Sequence, residues 1–162
     1  MKLSTRGVVR IALIAALYVV LTVGIAPLAY GPIQFRVAEA LKAIVVFNPV
    51  LAIGIGIGTF FANMISPFVG PWELIWMPLT DLAGGLIAWQ LGKRSQVAAM
   101  LVYALTTAGA VTAMLVAMGV GSFWALFFAI AISETVLLLG GLPLFNYVEK
   151  ILQARGISLR DS

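Results

Sequence analysis

The chain has 162 residues, of which 62% are hydrophobic and only 10% are charged, and its formal net charge is +4. This charged fraction is too small to cover the surface of a soluble globular protein of this length, so the composition predicts an integral membrane protein without a separate soluble domain. The sequence contains no cysteine and no histidine, which excludes disulfides, thiolate nucleophiles and the usual zinc or haem ligation. We therefore expect no metal and no cofactor.

The apolar segments predict an all-α membrane protein in which residues 1–162 form a single transmembrane domain, a bundle of six transmembrane helices. Each spanning helix needs roughly 20 residues, and glycine and proline clusters set most of the boundaries. The first apolar run is longer than the apolar region of a signal peptide, so we interpret it as a membrane helix. The predicted helices cover residues 8–29, 35–47, 50–65, 72–91, 96–118 and 122–148.

Three of these helices have features that predict their packing. The second, residues 35–47, is only about 20 Å long at 1.5 Å per residue, less than the hydrocarbon thickness, so we expect it to lie partly inside the protein. The third carries Gly54, Gly56 and Gly58, a small-residue ridge that allows a neighbouring backbone to approach closely. In the fourth, Pro78 is expected to produce a kink.

Basic residues are distributed unequally between the two ends of the predicted helices. If the amino terminus lies inside, only Arg36 falls on the outer side. This asymmetry predicts a multi-pass protein of the cell membrane with both termini in the cytoplasm, and it makes nucleic acid an unsuitable partner. The basic residues then assigned to the inner side are Lys2, Arg6, Arg10, Lys42, Lys93, Arg94, Lys150, Arg155 and Arg160.

Polar and aromatic side chains gather in the predicted outer half of the bundle. Charged groups near hydrocarbon are costly and tend to face a bundle interior or a water-filled cavity, so they are candidates for a functional site. Asp81 and Glu134 lie deeper, within apolar segments, where Arg36 is the only cation expected at a suitable depth. The candidate site residues are Gln34, Arg36, Glu39, Asn63, Trp72, Glu73, Trp76, Asp81 and Glu134.

The fourth helix carries several of these groups on one face. At about 100° per residue, Glu73, Trp76 and Asp81 fall within one arc that is expected to face inward, together with Thr80 and Gly84. This stripe predicts a small-molecule pocket open to the outside, with carboxylates that accept hydrogen bonds from N–H groups and indoles that stack on a flat ring.

Several of these residues also have structural interpretations. Trp72 is equally typical of the aromatic belt at a membrane interface, and Arg36 and Glu39 are spaced to neutralise each other. Glu134 is either a ligand group or a structural partner across helices, and Asp81 with Glu134 also fits a proton relay. The sequence gives little support for catalysis, because it contains no motif for an activated nucleophile with its base and none for a catalytic metal site.

A second motif lies on the first helix. Ala12 and Ala16, four residues apart, form a small-residue face together with Ala15 near the predicted inner surface. Such a face suits docking to another membrane subunit, although the same pattern is also typical of packing within one chain.

Segments 18–22, 26–41, 63–67 and 72–73 carry a family resemblance. Six helices in a chain of this length, with both termini inside and small residues near the start of helix one, resemble the substrate-binding S component of an energy-coupling factor (ECF) transporter. The run Gly-Pro-Ile-Gln-Phe-Arg-x-x-Glu at residues 31–39 more specifically resembles the queuosine-precursor transporter (QueT) family, and the similarity covers nearly the whole chain.

The resemblance implies a protein, itself not an enzyme, that captures a 7-deazaguanine outside and delivers it inward when docked on a transmembrane coupling subunit and two cytoplasmic ATPase subunits. No Walker-type loop for ATP occurs in this chain. Met77-Pro78 and Asp81 differ from the small or hydroxyl residues that we associate with the family. The alternatives are an S component for another vitamin-like micronutrient, a stand-alone proton-coupled carrier, and a structural membrane protein.

Overall fold

A computed structural model describes residues 4–30 and 36–160. The described residues are mainly helical and contain no strand. Four of the helices, α1, α5, α6 and α7, are long and apolar enough to cross a membrane, and α4 is a shorter apolar helix. The helices are α1 (Thr5–Val23), α2 (Ala26–Ala29), α3 (Val37–Val46), α4 (Val50–Asn63), α5 (Trp72–Gly92), α6 (Gln96–Ala117) and α7 (Phe123–Gln153).

The predicted all-helical architecture and its six main helices are confirmed, with small differences at the boundaries. The first predicted helix is divided, because α1 ends at Val23 and α2 begins next to Pro27, which cannot donate the hydrogen bond that a continuous helix needs at that point. α7 continues five residues beyond the predicted end and contains Pro143 within it.

The central element is α3, which is a 3₁₀ helix of ten residues. It contacts α1, α4, α5, α6 and α7, and its side chains are almost all buried. The expectation that the short second helix lies inside the protein is confirmed. A run of 3₁₀ helix this long is uncommon and often marks a functional or strained segment.

The 3₁₀ geometry determines which side chains of α3 share a face. With three residues per turn, positions i and i+3 lie directly above one another. Glu39 and Lys42 therefore stack along one line, and Arg36, the residue that precedes the helix, is three positions before Glu39. In an α-helix the same residues would turn progressively away from each other, so the tighter helix is what aligns three charged groups in the bundle interior.

Glycines on α4 allow close packing on two sides, as the small-residue ridge predicted. A Cβ at Gly54 or Gly58 would lie 2.9 Å from the Ile11 carbonyl or 2.7 Å from the Tyr18 Cβ, both on α1. A Cβ at Gly56 would instead lie 3.2 Å from the Pro78 carbonyl of α5. The absence of side chains thus brings both neighbouring backbones close to α4.

We expect Gly141→Ala to destabilise the fold, because its new Cβ would overlap the Ala40 carbonyl and lie 2.9 Å from the Ala43 Cβ. Separating α7 from α3 should lower the free energy of unfolding by about 1–3 kcal/mol. The matched control is Gly140→Ala, since a Cβ at Gly140 would have no atom within 4 Å. Thermal unfolding in detergent, followed by tryptophan fluorescence, should separate the two variants; equal midpoints would contradict the packing of α7 on α3.

The start of α5 is a π-helical turn over Trp72–Trp76, in which the Met77 N–H bonds to the Trp72 carbonyl. This turn immediately precedes Pro78, whose ring would clash with the carbonyl four residues earlier in a regular α-helix. The expected irregularity at Pro78 therefore takes the form of a wider turn. Because a π turn contains more residues than an α turn, it changes the direction in which Trp72–Trp76 point relative to the rest of α5.

Candidate functional site

Arg36 organises the outer of two buried polar clusters. Its Nε donates to the Ala29 carbonyl at 3.1 Å and its Nη1 donates to Asn63 Oδ1 at 3.1 Å. Its Nη2 lies 3.6 Å from Glu73 Oε1, and its guanidinium carbon lies 5.1 Å from the centre of the Tyr30 ring. We call Arg36, Asn63 and Glu73 the outer cluster; all three are buried.

Hydrogen bonds of the outer cluster connect three helices, α2, α4 and α5. The Asn63 side chain also donates from Nδ2 to the Glu73 carbonyl at 3.0 Å, which joins the end of α4 to the start of α5. The Tyr30 hydroxyl donates to the Ala62 carbonyl at 2.5 Å. Burial raises the pKa of the Tyr30 phenol, so this group remains a neutral donor.

The carboxylate of Glu73 is fully buried, yet neither of its oxygens accepts a hydrogen bond from any described residue. The 3.6 Å separation from Arg36 is an ion-pair distance that is too long for a hydrogen bond. Ser66 and Arg36 lie close enough to the carboxyl group to interact with it. A buried acceptor without a donor is costly, so Glu73 has the free capacity to accept N–H groups from a ligand.

Lys42 organises the inner cluster, which comprises Glu39, Lys42, Asp81 and Glu134. Its ammonium contacts Glu39 on the same helix and lies 2.6 Å from Asp81 Oδ1 on α5. It also donates to Thr107 Oγ1 of α6 at 3.3 Å. Lys42 is fully buried, so this single cation connects three helices in the middle of the bundle.

Hydroxyl groups fix the two carboxylates that Lys42 contacts. Tyr18 of α1 donates to Glu39, and Thr59 of α4 donates to Asp81 Oδ2 at 2.5 Å. Tyr103 of α6 donates to the Asp81 backbone carbonyl at 2.6 Å. Both tyrosines are fully buried. Such extensively paired charges in a low-dielectric interior are expected to be rigid.

Two predictions about Lys42 and its partners are wrong. Lys42 was placed among the basic residues of the inner side, but it is buried in the bundle core. Arg36 was expected to be the only cation at the depth of Asp81, whereas Lys42 is the partner of Asp81. The physical reason is the alignment of Glu39 and Lys42 on α3. The spacing of Arg36, Glu39 and Lys42 at intervals of three is the sequence signal that would have identified Lys42.

Glu134 of α7 is the fourth member of the inner cluster. It is buried and lies close enough to Glu39, Lys42 and Asp81 to interact with their charges. Its Oε2 has no hydrogen-bond partner among the described residues. The structure therefore brings Glu39, Asp81 and Glu134 together, and it places Arg36, Asn63 and Glu73 in a separate cluster nearer the start of α5.

Trp76 differs from the predicted inward stripe, and Trp72, which was not part of that stripe, is half-exposed as well. Trp72 is 45% exposed and Trp76 is 43% exposed, whereas Glu73 and Asp81 are buried. The Trp76 Nε1 donates to the Ala110 carbonyl of α6 at 3.3 Å. The π turn accounts for this difference, because regular α-helical spacing does not apply to Trp72–Trp76. Gln34, the remaining candidate, lies outside the described residues.

The candidate docking residues lie along a groove between α1 and α4. Ala12 and Ala16 are exposed, and Ala15 is buried beneath them. Ile57 and Phe61 of α4 form the opposite wall. The structure therefore places a small-residue surface on the outside of the bundle, while the Ala15 backbone packs against Gly58.

Comparisons with known proteins agree with the resemblance seen in the sequence. A family model described as QueT transporter matches residues 8–150, a range that includes both clusters. A relative from Lactococcus lactis subsp. cremoris (strain MG1363), named Queuosine precursor transporter QueT, is 45% identical over 67 residues. That alignment covers 40% of this chain and 40% of the relative. No solved structure matches the chain significantly.

Proposed function

Because the chain belongs to the QueT transporter family, we propose that this multi-pass membrane protein captures a queuosine precursor, a base of the 7-deazaguanine type, on the outer side of the cell membrane. The proposal rests mainly on the environment of the Glu73 side chain. Its buried carboxylate has no donor among the described residues, and a guanine-like edge offers adjacent N–H groups that a carboxylate accepts well.

The neighbours of Glu73 supply the other properties that such a pocket needs. The Arg36 guanidinium lies 3.6 Å from the Glu73 carboxylate, and Asn63 donates to the Glu73 backbone carbonyl and so fixes the backbone that carries it. Trp72 and Trp76 lie edge to face with ring centres 6.2 Å apart, next to Glu73 in the chain. Their partial exposure leaves indole faces available to stack on a flat base. Gln34 is also proposed to contact the ligand.

The proposed mechanism is that of an S component. The basic residues other than Arg36 and Lys42 lie at the ends of the chain and in the connection between α5 and α6, which favours an orientation with both termini in the cytoplasm. ATP hydrolysis would reside in two cytoplasmic ATPase subunits, which act through a transmembrane coupling subunit. The role of this chain would be capture of the ligand, followed by release when it is docked.

Thermal stabilisation tests the capture step directly. A ligand that binds only the folded protein raises its unfolding midpoint in proportion to the logarithm of ligand concentration over Kd. We expect 7-deazaguanines to raise the midpoint of the purified protein, and vitamins such as thiamine, riboflavin and biotin to leave it unchanged. A shift with a vitamin alone would identify a different S component, and no shift with any compound would contradict capture.

We propose that the groove formed by Ala12, Ala16, Ile57 and Phe61 receives a helix of the coupling subunit. Small residues allow close helix approach in a membrane, and this surface is exposed. Ala16→Trp should abolish co-purification with the coupling and ATPase subunits but leave ligand affinity unchanged. Leu13→Trp is the matched control, since Leu13 is exposed on the same helix outside the groove. Normal co-purification of Ala16→Trp would exclude this docking site.

A further inference from the structure

The groove proposed to receive the coupling subunit borders a contact in which α1 and α4 approach each other closely. Ala15, Ala16 and Phe61 line the groove. At the contact, a Cβ on Gly58 of α4 would lie 3.1 Å from the Ala15 carbonyl and 2.7 Å from the Tyr18 Cβ, both on α1. Because interiors packed this closely transmit displacements, a helix that enters the groove and shifts α1 relative to α4 would carry Tyr18 with it.

The Tyr18 side chain extends from this contact into the bundle. It is fully buried, and its hydroxyl donates to the carboxylate of Glu39 on α3. Glu39 also contacts the ammonium of Lys42. Since a phenol has only two rotatable side-chain bonds, its hydroxyl cannot follow Glu39 freely when α1 moves. The hydrogen bond between Tyr18 and Glu39 therefore depends on the position of α1.

Glu39 is connected to the outer cluster through Arg36. The Glu39 N–H donates to the Arg36 carbonyl at 2.8 Å, and Arg36 lies close enough to Glu39 to interact with its charge. The Arg36 Nη2 is also 3.6 Å from Glu73 Oε1. A buried carboxylate that loses a donor has an unsatisfied acceptor in a low-dielectric interior. Loss of the Tyr18 bond would thus strengthen the attraction of Glu39 for Arg36 and weaken the interaction of Arg36 with Glu73.

We propose that Tyr18 is a positioning residue through which docking on α1 lowers the affinity of the outer cluster for the base. This inference rests on the proposed function. In the free protein the Tyr18 hydroxyl holds Glu39, and Arg36 remains beside Glu73. Docking displaces α1 and separates Tyr18 from Glu39, so that Arg36 turns toward Glu39 and the base is released. Because binding free energies are linked, the base and the coupling subunit then weaken each other's binding by the same factor.

The test measures Kd for 7-deazaguanine on the protein alone and on its complex with the coupling and ATPase subunits. The wild-type complex should bind the base about 5-fold or more weakly than the free protein, the lower end of usual allosteric coupling. Tyr18→Phe should bind weakly in both states, so that the ratio of the two Kd values falls to about 1. Tyr103→Phe is the matched control, since Tyr103 is also fully buried but donates from α6 to the Asp81 backbone carbonyl; it should keep the wild-type ratio.

A second pair of variants tests the same connection without changing the tyrosine, and it decides the question if Tyr18→Phe does not fold. Gly58→Ala places a Cβ against Tyr18, whereas Gly54→Ala places one 2.9 Å from the Ile11 carbonyl of the same helix. Gly58→Ala should weaken binding of 7-deazaguanine to the protein alone, toward the Kd of the docked complex. Gly54→Ala should bind as the wild type. Equal Kd values for the two variants would contradict a role of Tyr18.

The remaining outcomes separate this inference from the proposed function. A wild-type ratio in Tyr18→Phe, or equal Kd values for the two states of the wild type, would overturn the role of Tyr18 and leave capture of the base intact. A ratio that falls equally in Tyr103→Phe would also overturn it, because any loosening of the bundle would then have the same effect. If 7-deazaguanine bound neither state of the wild type, the proposed function would fail as well.

Discussion

Replacing Lys42 by methionine is expected to cause a large loss of stability, with most of the protein aggregating after extraction into detergent. Methionine preserves the length of the side chain but removes the ammonium that contacts Glu39 and Asp81. Removing one partner of a buried ion pair typically costs about 3–5 kcal/mol, because the remaining charge is left uncompensated. Here two carboxylates lose their partner, so the effect should lie at the upper end of this range.

The measurement is the thermal unfolding midpoint together with the monodisperse fraction on size-exclusion chromatography. Lys93→Met is the matched control, since Lys93 is exposed, donates to Gln90 Oε1 and lies over the Trp89 ring; it should behave as the wild type. Adding Asp81→Asn to Lys42→Met should recover part of the lost stability, because the double variant removes one unpaired charge. Wild-type stability of Lys42→Met would mean that Lys42 does not neutralise this cluster.

The sequence predicted the helices well because hydrophobic segments and their glycine and proline boundaries are local signals. It also predicted that the short second helix lies partly inside the protein, since a segment so short cannot cross the hydrocarbon alone. The helix type was not predictable in the same way. Whether ten residues adopt an α or a 3₁₀ helix is decided by packing, here by the five helices around α3, and not by propensity.

This difference in helix type explains the main error about the site. Lys42 was interpreted as a topology signal because basic residues near helix ends usually serve that role. In the structure, α3 aligns it with Glu39 and directs it to Asp81, which is 39 residues further along the chain. The sequence identified four carboxylates as site candidates, because an ionisable group in an apolar segment is costly and usually functional. They are Glu39, Glu73, Asp81 and Glu134. Their division into two clusters required tertiary contacts.

The position of Trp76 was missed for a related reason. Projection of residues 72–84 on a regular helix places Trp76 beside Glu73 and Asp81, but a π turn at the start of α5 breaks this regularity. The sequence contains the cause, Pro78, but not its consequence, since a proline can produce a kink, a break or a wider turn. The structure shows that Glu73 is buried while the indoles of Trp72 and Trp76 are half-exposed, and the sequence did not predict this arrangement.

Replacing Glu73 by glutamine is expected to weaken binding of a 7-deazaguanine by about 100-fold. The carboxylate can accept two hydrogen bonds from the base edge, whereas the amide offers one oxygen and presents an NH₂ group to a ligand N–H. A hydrogen bond to a charged group contributes about 1.5–3 kcal/mol, and 1.4 kcal/mol corresponds to a tenfold change in Kd. Loss of one bond and introduction of one donor-to-donor contact together account for the expected effect.

Calorimetric titration of the purified variant gives this change in Kd, and the unfolding midpoint without ligand shows whether the fold is intact. Glu149→Gln is the control: its carboxylate is buried at the far end of α7, where it accepts hydrogen bonds from Ser158 and the Leu159 N–H. We expect Glu149→Gln to lower thermal stability and to leave Kd unchanged, whereas Glu73→Gln should weaken binding. If Glu73→Gln binds the base as tightly as the wild type, the unpaired carboxylate has another role and the base lies elsewhere in the bundle.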